Sequence, residues 1–231
     1  MLAGTINKFY ARARAEGLLK AIGWFFKRVY DRCTERYLGI STDQSVPLRE
    51  FGITDTSCHT YSPSSYRDFR KAMQYVHLVP DKDVFLDFGS GMGRIVIMAA
   101  TYPFCKVIGV EISPELNAIA SENVRRARGK LTCRNVDFVA CDAAGYDLPP
   151  EVTVIFFYNP FSGHVLHSIM ENIRRSLSEA PRDLTIIYCN PDPVEEELDK
   201  HNWLVRRAEF RGDYRHLILR SCQGITERPQ T

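Results

Sequence analysis

The stretch between Val84 and Ala100 constrains the fold more than any other part of the chain. An apolar run ends in Asp87, the chain passes through Gly89, Gly91 and Gly93, and a second apolar run follows. This pattern is typical of a buried strand, a tight turn and a helix whose N-terminus faces a ligand. Glycines at alternate positions lack the Cβ atoms that would keep a ligand away from the backbone. The stretch therefore predicts a ligand site at the start of a helix.

Three later strand-like segments also end in polar residues. Residues 106–111 end in Glu111, residues 136–142 end in Asp142, and residues 152–161 end in an Asn-Pro-Phe sequence. Ligands bind at the carboxyl ends of the strands in open α/β sheets. The Glu111 carboxylate can accept hydrogen bonds from both ribose hydroxyls of an adenosine. For Asp142 the residues leave two interpretations open, a ligand contact or a cap of the turn that follows it.

Helical patterns separate these strands. Ser113 and Pro114 are suited to the N-cap and first residue of a helix that continues to about Arg128. A fifth apolar strand covers residues 184–189, and Gly212-Asp213 separates two final strands as in an antiparallel hairpin. The order predicts a doubly wound α/β domain with a mostly parallel sheet and a C-terminal antiparallel hairpin.

Together these motifs resemble the class I (seven-strand) S-adenosylmethionine-dependent methyltransferases, and among them the non-SET protein-lysine methyltransferases. Residues 87–94, paired with Gly109-Val110-Glu111, are similar to the first two motifs of that class. A Tyr61-x-Pro63 segment ahead of them is similar to one that closes over the cofactor. The resemblance covers about residues 61–221 and implies a Rossmann-like methyltransferase sheet with S-adenosylmethionine as cofactor.

The resemblance also implies a set of cofactor-binding residues. In the family, the glycine turn holds the methionine half of the cofactor, and an acid after the third strand lies near the adenine amino group. The implied residues are Tyr61, Asp87, Gly89, Ser90, Gly91, Gly93, Glu111 and Asp142. The glycine spacing disfavours a nicotinamide dinucleotide, for which G-x-G-x-x-G is typical.

The candidate catalytic segment is Asn159-Pro160-Phe161. It is similar to the (Asp/Asn/Ser)-Pro-Pro-(Tyr/Phe/Trp) motif of amino-methylating enzymes, but it lacks one proline. The difference disfavours methylation of nucleic-acid bases and leaves N-methylation open. The amide oxygen of Asn159 can hold an amine, and the ring of Phe161 can favour a developing cation. A bland alternative is that Asn159-Pro160 only ends the strand, as Asn190-Pro191 does after the next one.

These residues predict methyl transfer to a nitrogen atom of a protein lysine. Two alternatives remain: a small-molecule methyltransferase with the same cofactor site, and a non-catalytic methyltransferase-fold module that binds a partner. No metal-ligand cluster is discernible in the sequence.

Composition agrees with a cytoplasmic enzyme. The chain has 231 residues, of which 45% are hydrophobic and 25% are charged, which is ordinary for a globular protein. Seven cysteines without a C-x-x-C spacing indicate reduced thiols rather than a disulfide framework. The net charge of only +2 argues against general nucleic-acid binding.

The N-terminal segment differs from the rest. Residues 1–37 carry eight basic and three acidic side chains and have apolar residues at helical spacing, which predicts a basic amphipathic helix. Residues 38–60 are expected to be a linker or lid, and residues 61–231 the methyltransferase domain. Three interpretations of the helix are open: packing on the domain, docking on a membrane surface or a protein partner, and a mitochondrial presequence. Acids and the lack of serine disfavour the third.

Overall fold

The computed structural model describes residues 2–43, 63–158, 161 and 163–222. The chain divides into two compact units, residues 1–41 and 42–231. The first unit is helical, and the second contains the predicted α/β sheet.

The N-terminal unit consists of two helices rather than the single helix expected for residues 1–37. They are α1 (Leu2–Glu16) and α2 (Leu18–Leu38). Gly17 separates them with a φ of 92°, a backbone conformation that cannot continue a right-handed helix. At the other end of α2, Gly39 is left-handed and its N–H donates to the Glu35 carbonyl at 2.7 Å, a common way to end a helix.

The second unit is built on one seven-stranded sheet. Its strands are β1 (Val84–Phe88), β2 (Lys106–Glu111), β3 (Val136–Ala140), β4 (Val152–Tyr158), β5 (Thr185–Cys189), β6 (Leu204–Arg211) and β7 (Arg215–Ser221). Its helices are α3 (Tyr66–Met73), α4 (Arg94–Ala100), α5 (Pro114–Ala127), α6 (Gly163–Glu179) and α7 (Glu195–Asp199). Short 3-10 turns cover Arg128–Lys130 and Ala143–Gly145.

The strand order is β3-β2-β1-β4-β5-β7-β6. Strands β1 to β5 are parallel to one another, whereas β7 is antiparallel to both β5 and β6. The expected doubly wound sheet with a C-terminal antiparallel hairpin is therefore confirmed. From β1 the chain adds β2 and β3 on one side of the sheet and then β4 and β5 on the other. The switch point therefore lies between β1 and β4, and the turn after β1 stands at the edge where such sheets bind ligands.

Apolar layers cover both faces of the sheet. Strand β1 is buried along its whole length, as expected for a central parallel strand. On one face, the buried apolar side of α6 packs against alternate residues of the central strands. On the other face, the ring of Phe69 in α3 makes edge contacts with Phe85 at 5.9 Å and Phe156 at 5.8 Å. These two layers fix the strand ends that form the candidate site.

Ser113 caps α5 as expected: its side chain accepts a hydrogen bond from the Leu116 N–H at 3.2 Å, and Pro114 follows at the first helical position. In the described part of the chain, no helix is both long enough and apolar enough to cross a bilayer.

Candidate active site

The glycine turn between β1 and α4 is held by backbone hydrogen bonds. The Gly89 N–H donates to the Val110 carbonyl at 2.8 Å, and the Gly93 N–H donates to the Ser90 carbonyl at 2.9 Å. Gly89 and Gly91 have φ values of 75° and 53°, which side-chain-bearing residues rarely adopt. The turn lies at the carboxyl edge of the sheet, where open α/β sheets bind ligands; Gly89 is partly exposed there, and Gly91 is buried.

Close packing by neighbouring residues also favours glycine at position 93. A Cβ atom at this position would lie 3.0 Å from the Cβ of Ala120 and 3.2 Å from the ring of Phe138. A Cβ at Gly109 would be tighter still, at 2.7 Å from the same ring. Both glycines let α5 and β3 pack closely on the turn. The predicted contact of Gly93 with the cofactor stays a prediction.

Glu111 stands at the end of β2, and both its carboxylate oxygens accept backbone hydrogen bonds. The Gly91 N–H donates to Oε2 at 2.9 Å, and the Ser113 N–H donates to Oε1 at 3.0 Å. Burial raises the pKa of Glu111, and these N–H donors oppose the rise. The Glu111 side chain thus joins the glycine turn to the start of α5. Its remaining lone pairs can still accept hydrogen bonds from a ligand.

Asp87 adds a second buried carboxyl group at the same edge. Its side chain is 3% exposed, and its pKa lies well above the ordinary value, first because of burial and then because of the negative charge of Glu111. Two carboxyl groups so arranged resist ionising together. A cationic ligand at this edge would favour the charged form of both.

Two buried polar atoms beside the turn have no hydrogen-bond partner among the residues that the structure describes. They are Oγ of Ser90 and Oδ1 of Asn117. Asn117 is held in place because its Nδ2 donates to the Glu111 carbonyl at 3.0 Å. A buried polar atom without a partner costs about 1–3 kcal/mol, which a ligand group can recover. The sequence prediction included Ser90 and missed Asn117, whose only signal is its place in the first turn of α5.

Asp142 follows β3 and is exposed. Its Oδ1 accepts a hydrogen bond from the Ala144 N–H at 2.9 Å, so it caps the short 3-10 turn that begins at Ala143. The structure therefore shows the capping role that the sequence left open. A contact between the second carboxylate oxygen and a ligand is compatible with this cap and stays a prediction.

Arg94 is the first residue of α4, and it turns away from solvent. Its Nε donates to Thr42 Oγ1 at 2.7 Å, its Nη1 donates to the Ser64 carbonyl at 3.0 Å, and its guanidinium lies 4.5 Å from the centre of the Tyr66 ring. The Asp43 carboxylate is 3.9 Å away. Arg94 therefore fastens two segments from earlier in the chain to the glycine turn, a role that the sequence did not reveal.

The acceptor side of the site is partly described. Strand β4 ends at Tyr158, whose ring makes an edge contact with Tyr214 at 5.8 Å, and Phe161 is buried just beyond. Tyr61, Asn159 and Pro160 lie outside the described residues, so their predicted roles remain predictions. Within the described ranges, no group of three or more His, Cys, Asp or Glu side chains is arranged to hold a metal ion.

Comparison with known proteins agrees with this geometry. A family profile described as a methyltransferase domain matches residues 85–180, which span the glycine turn, Glu111 and the whole of α6. No curated protein matches the sequence significantly. Several solved structures share the fold, although their sequence identity is low.

An RNA methyltransferase from Salinibacter ruber, solved with S-adenosyl-L-homocysteine, is 23% identical over 73% of this chain and 97% of its own, with a TM-score of 0.52. The ribosomal protein L11 methylase of Lactobacillus delbrueckii subsp. bulgaricus is 16% identical over 69% of this chain and 79% of its own, with a TM-score of 0.51. The O-MT segment of StiE is 14% identical over 71% of this chain and 76% of its own, with a TM-score of 0.53.

The profile match over residues 85–180 and the strand order together identify a methyltransferase domain in this chain. S-adenosylmethionine is its cofactor. The unpartnered Ser90 hydroxyl, the paired carboxyl groups and the bare glycine turn fit a ligand that is cationic and rich in hydrogen-bonding groups. The fold class, enzyme class and cofactor expected from the sequence are confirmed.

Proposed function

We propose that this enzyme transfers a methyl group to the side-chain nitrogen of a protein lysine. The observation that carries the proposal is the neighbourhood of β4 and β1. Phe88 and Phe157 are register partners in these parallel strands, so β4 ends at Tyr158 beside the start of the glycine turn after β1. In our proposal, the amide oxygen of Asn159 and the ring of Phe161, which follow Tyr158 in the sequence, serve an amine acceptor at this edge of the sheet.

In this proposal the cofactor is held by residues from three strand ends. The backbone at Gly89 and Gly91 and the hydroxyl of Ser90 face its methionine part, Glu111 binds its ribose, and Asp142 contacts its adenine. When bound, S-adenosylmethionine would supply the methyl group of its sulfonium, and the S–CH₃ bond would break so that S-adenosylhomocysteine leaves as a neutral thioether. The chain itself has to position the acceptor and exclude water.

An amine acceptor must arrive without its proton, with its lone pair directed at the methyl carbon. The Asn159 amide oxygen accepts a hydrogen bond from the nitrogen, and the rings of Tyr158 and Phe161 line the approach of its alkyl chain. An aromatic face also favours the positive charge that develops on nitrogen. These groups orient the lysine without needing a strong base.

The similar structures support a range of acceptors for this fold. Their names include an RNA methyltransferase, a ribosomal protein methylase and an O-MT segment. The name of the ribosomal protein methylase supports a protein as one class of acceptor for this fold. The choice of lysine nitrogen rests on the segment after β4 and not on these likenesses.

The test follows label from S-adenosyl[methyl-³H]methionine into three acceptor sets: lysine-containing peptides and proteins, RNA, and small metabolites. Incorporation into lysine is the expected result. Label that enters only RNA or only metabolites would overturn the lysine proposal and leave the methyltransferase class intact. Cofactor binding without turnover on any acceptor would favour the binding-module alternative.

Asn159→Ala is expected to reduce the methylation rate by about 10- to 100-fold while cofactor affinity is unchanged. Asn190→Ala is the matched control, because Asn190 also precedes a proline after a parallel strand. Asn190 has a φ of 58°, so its replacement lowers stability by about 1 kcal/mol but should leave the rate of transfer unchanged. Equal rates for the two variants would remove Asn159 from the mechanism.

A further inference from the structure

The exposed face of α2 is apolar. Among the described residues, fifteen large apolar side chains are exposed, and nine of them lie in the N-terminal unit. Seven are on α2, and at 100° per residue they fall within an arc of roughly 120°. These seven residues, which we call the apolar stripe, are Leu18, Leu19, Ile22, Phe25, Phe26, Val29 and Tyr37. Leu19 and Phe26 are 85% and 66% exposed.

The other face of α2 has the opposite character. Its buried positions include Asp31 and Glu35, which carry charges. A surface helix of a globular protein normally buries its apolar side and exposes its charged side. In α2 an arc of large apolar side chains is exposed, while two of the four buried residues are acidic, so packing within the helical unit does not account for the apolar stripe. Contiguous exposed apolar surface marks an interaction site.

Basic side chains accompany the apolar stripe. Residues 1–37 carry a net charge of +5, although the whole chain carries only +2. On α2 the exposed basic residues include Lys20, Arg32 and Arg36. Long basic side chains can reach past an apolar face so that their charged ends stay at its polar border.

An aromatic residue with a polar edge lies on the same helix. The ring of Trp24 has the guanidinium groups of Arg12 and Arg28 at 5.8 and 5.7 Å from its centre. The contact between Arg12 and Trp24 ties α1 to α2, as does an edge contact between the rings of Phe9 and Phe25 at 6.0 Å. The unit is therefore a helical pair that presents the apolar stripe as one surface.

We infer that this N-terminal unit binds the surface of an anionic phospholipid membrane. The apolar stripe enters the boundary between headgroups and acyl chains, and the basic side chains meet the lipid phosphates. At 1.5 Å per residue, α2 extends about 31 Å along the membrane plane. An apolar face, a polar face and a surplus of basic residues are the properties of helices that lie in the interface without crossing it. Charge complementarity selects an anionic lipid surface over a second copy of this chain, which carries the same positive charge.

The full chain is tested by co-sedimentation with two kinds of vesicle. One is phosphatidylcholine alone, and the other contains about 30% phosphatidylserine. Binding to the anionic vesicles, weakened by added salt, is the expected result. Equal binding to both vesicle types, or no binding to either, would overturn the inference.

Two variants separate the apolar and the electrostatic contributions. Leu19→Ser with Phe26→Ser should weaken binding at least about 10-fold, because two exposed apolar side chains no longer enter the membrane. Arg32→Glu with Arg36→Glu should weaken binding by at least about 10-fold on anionic vesicles only. If either variant binds like the wild type, the assigned surface is wrong.

The matched control is Val79→Ser with Ile119→Ser, which removes two exposed apolar side chains from the second unit. It should bind vesicles like the wild type. Affinity for S-adenosylmethionine, measured on every variant, verifies that the methyltransferase unit is intact and is independent of the lipid result. Light scattering without vesicles tests whether a second copy of the chain covers the apolar stripe instead. A dimer that is lost in the Leu19→Ser, Phe26→Ser variant would assign the apolar stripe to self-association and overturn the membrane inference.

Discussion

Replacing Glu111 by glutamine removes one negative charge and one acceptor while keeping the size of the side chain. In the wild type, the two oxygens accept the N–H groups of Gly91 and Ser113 at 2.9 and 3.0 Å. Glutamine offers a single oxygen, so its NH₂ group must face one of these N–H donors. One buried donor is then left without an acceptor.

A hydrogen bond to a charged acceptor contributes about 1.5–3 kcal/mol. Burial raises the pKa of Glu111, so the charged side chain also carries a desolvation penalty that glutamine relieves. The net loss should be about 1–2 kcal/mol, which lowers Tm by about 2–8 °C for a chain of this size. The cofactor loses a charged hydrogen bond as well as the ordered turn. Its affinity should fall by about 10- to 100-fold.

The measurement is calorimetric titration with S-adenosylmethionine at a temperature below both melting transitions, together with thermal unfolding. Glu115→Gln is the matched control, since Glu115 is nearby but exposed, and its Oε2 accepts a hydrogen bond from the Ser113 hydroxyl at 2.8 Å. It should bind the cofactor like the wild type. Wild-type affinity in Glu111→Gln would refute the assignment of Glu111 to the cofactor, and an unchanged Tm would refute its support of the turn.

Two further changes test the packing and the electrostatics of the site. Gly109→Ala places a Cβ 2.7 Å from the Phe138 ring and should lower the free energy of unfolding by about 1–3 kcal/mol. Gly129→Ala is the control, because a Cβ at that position has no atom within 4 Å. Equal stabilities of the two variants in urea unfolding would contradict the close packing at Gly109. Asp87→Asn removes a group whose pKa burial and Glu111 raise. Because the raised pKa makes wild-type stability fall as pH rises above about 4, the variant should gain stability relative to the wild type toward neutral pH and not at lower pH, and a constant difference from acid to neutral pH would contradict this.

Much of the sheet is predictable because its information is local. Apolar strands, the Ser113-Pro114 helix start and the Gly212-Asp213 hairpin are all determined by short-range preferences, and the structure confirms each. The break at Gly17 is different. Gly23 lies inside α2 without interrupting it, so a glycine in an amphipathic pattern does not by itself show where a helix ends.

Candidate ligand-binding residues can be proposed from the sequence where they stand at strand ends, and less readily where residues support one another. The glycines and Glu111 stand at strand ends, where position alone indicates contact. Arg94 instead bonds to Thr42, 52 residues earlier in the chain, and no local pattern signals such a distant partner. The orphaned amide oxygen of Asn117 likewise becomes visible only when its burial is known.

The buried guanidinium of Arg94 has a thermodynamic consequence for the segments it holds. Thr42 and Ser64 are bonded to one side chain at the start of α4, so local opening of either segment weakens the hold on the other. The two segments should therefore open as one cooperative unit in native-state hydrogen exchange. A cofactor that stabilises the glycine turn would slow exchange in both, although neither needs to contact it. Cofactor binding at the glycine turn should thus stabilise the segments around Thr42 and Ser64, although they are remote from the turn in the sequence.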